Sequence, residues 1–142
     1  MVSILIITHG EFGAYLLEAA EEIVGRAAQQ YVAVAAVSRR LALTEVRQKI
    51  ETGIGEALKH SNSQGALVLC DMLGGTPCNE TLLVIRDNPN IHVLVGVNLY
   101  MVISAVLNAR RLPLAVLAAK VLEDGKRSVA NARDFFASKQ LK

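Results

Sequence analysis

The sequence predicts an α/β protein whose doubly wound, mostly parallel four-stranded sheet is covered by helices on both faces. Four short apolar runs alternate along the chain with segments whose apolar residues recur at helical spacing. The runs are rich in Val, Ile and Leu and lack strict alternation with polar residues, which is typical of strands buried on both faces. Strands and helices in alternation favour a parallel sheet with right-handed crossovers. No linker, repeat or low-complexity stretch divides the sequence, so we predict one domain over residues 1–142.

Each of the four apolar runs has the length of a strand. In a doubly wound sheet, ligands bind beyond the carboxyl ends of the strands, where the chain leaves for the helices. The loops that follow the predicted strands are therefore the places to look for a functional site. In chain order, the strands are predicted over Ile4 to Thr8, Tyr31 to Val37, Ala66 to Cys70 and Ile91 to Val97.

The segments between the strands carry helix signals. The first helix is predicted from Phe12 to the residue before Gly25, since glycine commonly follows the last helical turn. Thr44 is predicted to cap the second helix. The pair Thr76-Pro77 predicts the start of the third, with a capping hydroxyl before a proline at the first helical position. The last two helices are predicted over about Tyr100 to Arg110 and from Pro113 towards the C-terminus.

The composition argues against several classes of protein. The 15 Lys and Arg residues against 13 Asp and Glu leave a charge of +2, and the basic residues occur in scattered pairs such as Arg39-Arg40, which does not favour nucleic-acid binding. No apolar run reaches the roughly 18–20 residues of a membrane span, and the N-terminus lacks a secretion signal. We expect a soluble, cytoplasmic protein. Cys70 and Cys78 are too few for a disulfide framework and are predicted to be buried thiols.

A histidine follows the first predicted strand, in the segment Thr8-His9-Gly10. Gly10 allows a sharp turn of the backbone that leaves the ring of His9 accessible. Imidazole is nucleophilic near neutral pH and forms covalent intermediates. Taken alone, the position fits a histidine bonded to a turn carbonyl equally well.

Asp71 ends the third predicted strand, which in a doubly wound sheet usually neighbours the first across the switch point. We therefore expect the carboxylate to reach His9. A hydrogen bond accepted from Nδ1 would fix the tautomer that leaves the lone pair on Nε2 and would stabilise an imidazolium. The alternative is an aspartate that serves only the turn.

Gly74-Gly75-Thr76 follows Asp71 and leads into the third helix. Two glycines permit a close approach of the backbone, and a helix N-terminus offers free N–H groups and a positive dipole end, so the segment is a candidate anion site. The Thr76 hydroxyl either caps the helix or donates to a phosphoryl oxygen. His60 and His92 fall in other segments, and we assign neither a role.

Three segments together resemble one protein family. Thr8-His9-Gly10, the stretch from Asp71 to Asn79 and the stretch from Gly96 to Met101 closely resemble enzyme IIA of the mannose family of the bacterial sugar phosphotransferase system. Their order and spacing match over essentially the whole chain.

The resemblance implies a phosphocarrier. His9 would accept a phosphoryl group from HPr and pass it to an enzyme IIB or an equivalent acceptor, with Asp71 as its hydrogen-bond partner and the Gly74 to Thr76 segment holding the phosphate. No metal or cofactor is implied. The resemblance also implies a homodimer in which an antiparallel strand, contributed by residues after Leu112, is exchanged between subunits.

Two residues depart from the family pattern, because members often have an aromatic residue at Leu73 and many have proline at Tyr100. The sequence leaves two other functions open. One is a regulatory module of an incomplete phosphotransferase system, in which a partner reads the phosphorylation state. The other is a histidine-based hydrolase or chelatase. Histidine phosphatases have arginine where this chain has Thr8, and a chelatase needs further metal ligands.

Overall fold

The computed structural model describes residues 1–26, 32–62 and 64–140, and in this part of the chain the predicted fold class is confirmed. One sheet of four strands has the order β2-β1-β3-β4, and every neighbouring pair is parallel. Tyr31, the first residue of the second predicted strand, lies outside the described residues. The fourth strand is shorter than predicted, because the chain turns at Gly96, whose φ is +79°. The strands are β1 Ser3–His9, β2 Val32–Val37, β3 Ala66–Cys70 and β4 Ile91–Leu94.

Helices cover both faces of the sheet. Alternate residues of the central strand β1 point to opposite faces, so Ile4 and Ile6 join one apolar cluster while Leu5 and Ile7 join the other. The first cluster includes residues of α1, α4 and α5, and the second includes residues of α2 and α3. None of the helices in the described ranges is both long and apolar enough to cross a bilayer. The helices are α1 Phe12–Val24, α2 Leu43–His60, α3 Thr76–Ile85, α4 Leu99–Asn108, α5 Leu114–Arg127 and α6 Ala132–Gln140.

Two predicted helix caps are wrong. The N-cap of α2 is Ala42, whose backbone N–H donates to the Glu45 carboxylate at 3.3 Å, and Thr44 lies inside the helix. The N-cap of α3 is Gly75, which makes Thr76 the first helical residue and Pro77 the second. Both helices begin earlier than the hydroxyl residues suggested. The carbonyls of Ala42 and Gly75 accept the first helical bonds, from the N–H groups of Val46 and Asn79.

The chain after Leu112 is helical in the structure. Instead of the single helix or exchanged strand expected there, the described residues form α5 and α6. The cause in α5 is a buried apolar stripe that recurs at helical spacing and packs against the core. The stripe consists of Leu114, Leu117, Ala118 and Val121.

An ion pair joins α2 to α3. Arg47 donates from Nε to the Glu80 carboxylate at 2.9 Å. The Glu80 side chain is only 7% exposed, whereas that of Arg47 is 45% exposed. A buried carboxylate depends on its partner, so this contact constrains how α3 sits beside α2.

We expect Arg47→Met to lower the midpoint of urea unfolding, because it leaves the Glu80 carboxylate buried without its partner. Adding Glu80→Met should recover part of the loss, since the double variant removes both charges. Arg86→Met is the control, because that side chain is 74% exposed and pairs only across 3.8 Å. An unchanged midpoint in Arg47→Met would contradict the structural importance of the pair.

Candidate functional site

The carboxyl ends of β1 and β3 bring His9 and Asp71 together. Ile7 is paired with Cys70 in the parallel register, so the residue after Cys70 lies beside the end of β1. His9 Nδ1 lies 2.7 Å from Asp71 Oδ2, and the backbone N–H of His9 donates to the same oxygen at 2.9 Å. The histidine is thereby bound by both its ring and its backbone.

Asp71 is held as an acceptor by its neighbours. Besides the two contacts from His9, the backbone N–H of Met72 donates to Oδ1 at 2.9 Å. Partial burial by itself would raise the pKa of Asp71, but the hydrogen bonds from the backbone and ring of His9 outweigh it, and the pKa lies below its ordinary value. The ionised carboxylate therefore accepts from Nδ1–H, which leaves the lone pair of the ring on Nε2.

The ring of His9 is partly open to solvent and packs against the backbone of Gly75. The His9 side chain is 46% exposed, against 12% for Asp71. Gly75 packs directly beside the ring: a Cβ at this position would lie 2.7 Å from His9 Cε1 and 3.3 Å from Nε2. Only glycine leaves room for the ring in its present orientation.

The turn between β1 and α1 is fixed from both sides. Thr8 is fully buried, and its hydroxyl oxygen accepts from the backbone N–H of Gly13 at 2.8 Å, which satisfies one of the free N–H groups at the start of α1. Gly10 has a φ of +52°, and its N–H donates to the Val37 carbonyl at 2.9 Å. This histidine-bearing turn is therefore tied both to α1 and to the end of β2.

The segment Gly74-Gly75-Thr76 lies at the N-terminus of α3, next to His9. Gly74 has a φ of +86°, and its carbonyl accepts from the Asn79 side chain at 3.2 Å, which holds the loop against the first helical turn. Thr76 and His9 both line an open cleft of about 420 Å³. The first N–H groups of a helix have no partner within it, so they are available to an anion in this cleft.

The same cleft is also lined by Ser38 and Arg39, from the loop between β2 and α2. The sequence pattern does not single out these residues, because Arg39 belongs to one of the scattered basic pairs. Their position directly after β2 was the available signal, since all four strands end at one edge of a parallel sheet.

The remaining titratable candidates lie elsewhere. His60 is exposed at the end of α2, and His92 pairs with Leu67 on the amino-terminal side of β3, away from the site. Cys70 and Cys78 are free and buried, as predicted, and burial raises the pKa of Cys70 to about 12. Across the described ranges, no group of three or more His, Cys, Asp or Glu residues is arranged to hold a metal ion.

Fold and site together define the class of protein. It is a doubly wound α/β protein that presents an exposed histidine, oriented by an aspartate, beside a helix N-terminus at the carboxyl edge of the sheet.

The family follows from comparison with known proteins. The family model EIIA-man, described as "PTS system fructose IIA component", matches residues 3–122. The chain belongs to this family, so it is a mannose-family enzyme IIA and a component of the phosphotransferase system, which transfers phosphoryl groups between proteins. This assignment replaces the hydrolase and chelatase alternatives. No curated protein matches the sequence significantly.

Solved structures are similar over nearly the whole chain. Phosphotransferase system component EIIA from Streptococcus agalactiae is 28% identical, with a TM-score of 0.78 and coverage of 94% of this chain and 99% of that one. The mannose/sorbose-specific IIA subunit from Enterococcus faecalis is 27% identical, with a TM-score of 0.78 and coverage of 92% and 93%. A PTS IIA protein associated with the fucose utilization operon of Streptococcus pneumoniae shares the fold at 21% identity and a TM-score of 0.81, covering 96% and 99%.

We expect Gly75→Ala to displace the ring of His9, because the new Cβ would overlap Cε1 and would also come within 3.2 Å of Met72 Cγ. Nitrogen NMR of the ring should show loss of the single Nδ1–H tautomer. Gly55→Ala is the matched control, since a Cβ there meets nothing within 4 Å. Ring signals unchanged in Gly75→Ala would show that the packing does not orient the histidine.

We also expect acid to weaken the fold partly through Asp71. Its lowered pKa in the folded state means that its stabilising contribution is present above the ordinary pKa of aspartate, about 3.9, and is lost as the pH falls through the folded value. The difference in urea midpoint between wild type and Asp71→Asn should be largest above about pH 5 and should shrink below about pH 4. Asp87→Asn, at a side chain that is 91% exposed, is the control. A difference that stays constant with pH would contradict this account.

Proposed function

We propose that the protein is a phosphohistidine carrier, in which His9 accepts a phosphoryl group from HPr and passes it to an enzyme IIB or an equivalent acceptor. The observation that supports this most directly is the 2.7 Å contact between His9 Nδ1 and Asp71, which leaves Nε2 as the nucleophile of a side chain that is 46% exposed. Membership of the enzyme IIA family supplies the class of reaction.

The transfer step is an in-line displacement at phosphorus. The Nε2 lone pair of His9 forms a new N–P bond while the P–N bond of the donor's phosphohistidine breaks and its electron pair returns to the donor's ring. The proton on Nδ1 of His9 stays in its hydrogen bond to Asp71, whose negative charge stabilises the imidazolium. The acceptor later attacks the same phosphorus, and the electron pair of the N–P bond returns to Nε2.

Positioning accounts for most of the catalysis. Phosphoryl transfer passes through a loose transition state with charge spread over the equatorial oxygens, so the protein mainly has to align the reactants and supply hydrogen-bond donors. The segment Gly74-Gly75-Thr76 lies where its N–H groups and the Thr76 hydroxyl would meet those oxygens, because Thr76 lines the cleft with His9.

The proposal extends to where the protein works and to its oligomeric state. We place the reaction in the cytoplasm and propose a homodimer. The outer helix α6 supports a dimer, because the side chains of Phe135 and Phe136 are large, apolar and 60% and 61% exposed, and a second copy would cover them.

Incubation with phosphoenolpyruvate, enzyme I and HPr should introduce one acid-labile phosphate per chain, located on His9. His9→Ala should lose the label. Asp71→Asn should accept it about 10²-fold more slowly, which is typical when one preorganised electrostatic contact is removed. His60→Ala, at an exposed histidine outside the site, should be labelled like wild type. Labelling that persists in His9→Ala would overturn the proposal.

A further inference from the structure

The loop between β2 and α2, which carries neither His9 nor Asp71, also reaches the cleft. Val37 is the parallel partner of His9 at the end of β2, and its carbonyl accepts from the Gly10 N–H at 2.9 Å. The chain therefore leaves β2 right beside the histidine. Ser38 and Arg39 come next, and both line the same cleft of about 420 Å³ as His9 and Thr76.

Arg39 has a free positive charge in this position. It is exposed, and within the described ranges it forms no ion pair with a carboxylate. Apart from His9, it is the one basic residue among the described residues that line the cleft. A guanidinium without a carboxylate partner remains available to an anionic group that enters the cleft.

A cation at this position would offset the repulsion between Asp71 and an incoming phosphoryl group. A phosphoryl group with about two negative charges at neutral pH would have to approach a ring whose other nitrogen already faces the ionised Asp71. The residue before the histidine is Thr8, which is buried and bonded to Gly13, so it offers no charge. Guanidinium is suited to this place because its planar fork binds two phosphoryl oxygens at once.

We propose that Arg39 binds the oxygens of the phosphoryl group while this group is transferred to Nε2 of His9, and that it is a catalytic residue of this chain. The inference rests on the proposed function, because it requires His9 to be the phosphorylated residue. Arg39 lines the cleft together with His9, whereas Asp71, which contacts Nδ1, is not among the residues that line it.

Arg40 provides a matched control. It is the next residue along the loop and is also exposed, but it does not line the cleft. Its backbone N–H donates to the Ser38 hydroxyl oxygen at 3.2 Å, which the side-chain substitution leaves in place. Arg39→Gln and Arg40→Gln therefore remove the same charge from nearly the same place, and they differ in whether the lost group lines the cleft with His9.

Phosphoramidate is the appropriate donor, because it carries a phosphoryl group without a protein surface. Its P–N bond breaks as the bond from Nε2 to phosphorus forms, and its protonated amine leaves as ammonia. Phosphorylation of His9 is followed by phosphorus NMR, with phosphorylated HPr as a second donor in parallel. We expect Arg39→Gln to slow the labelling of His9 about 10-fold. This is less than the loss typical of removing an enclosed hydrogen-bond donor, because the cleft is open. The labelling rate of Arg39→Lys should lie between those of wild type and Arg39→Gln, since lysine keeps the charge but lacks the planar fork of the guanidinium. Arg40→Gln should stay within about twofold of wild type.

The outcomes separate this inference from the proposed function. Equal rates for wild type and Arg39→Gln with phosphoramidate would overturn the role of Arg39 while leaving His9 as the carrier. That result together with slower transfer from HPr would assign Arg39 to protein docking alone. Equal slowing in Arg39→Gln and Arg40→Gln would show an effect of general surface charge and would also overturn the role of Arg39. A wild type that neither donor labels on His9 would overturn both proposals. Circular dichroism melting curves check that each variant is folded.

Discussion

The hydrogen bond between His9 and Asp71 is the interaction on which the rest of the site depends. It exists because β1 and β3 are parallel neighbours whose carboxyl ends meet at one edge of the sheet. The same carboxylate oxygen also accepts from the backbone N–H of His9, so displacement of the aspartate would release both the ring and the end of the strand. The orientation of the His9 ring therefore depends on the register of the two strands.

The ring of His9 contacts a carboxylate and borders a cleft that is lined by a basic residue and a helix N-terminus. Asp71 faces Nδ1, and its lowered pKa keeps it ionised as an acceptor. Thr76, at the N-terminus of α3, and Arg39 line the cleft with His9. In the proposed function, Asp71 stabilises the imidazolium and the groups that line the cleft bind the incoming phosphoryl group. Gly75 completes the arrangement through its lack of a side chain, since any Cβ there would occupy the space of the ring.

The scaffold beneath the site has a buried core on each face of the sheet, and the groups proposed to react lie on its loops and strand ends. Two apolar clusters, one on each face of the sheet, hold β1 and β3 from both sides. The buried Glu80 ties α3 to Arg47 of α2, and the Thr8 hydroxyl ties α1 to the end of β1. A carrier has to present one histidine in the same geometry to donor and acceptor in turn. A site fixed by strand ends and helix starts meets this need better than one on a long loop.

The sequence by itself determined the fold class, the approximate strands and helices, and the position of His9 and Asp71 at strand ends. Those features follow from local patterns, because apolar periodicity and the order of the elements along the chain are enough to predict them. The tertiary structure decided that α3 starts at Thr76 behind a Gly75 cap, that the described chain after Leu112 forms two helices, and that Arg39 shares a cleft with His9. These depend on contacts between residues distant in sequence, such as the packing of Gly75 against the ring of His9, and no single-segment pattern records which side chains meet.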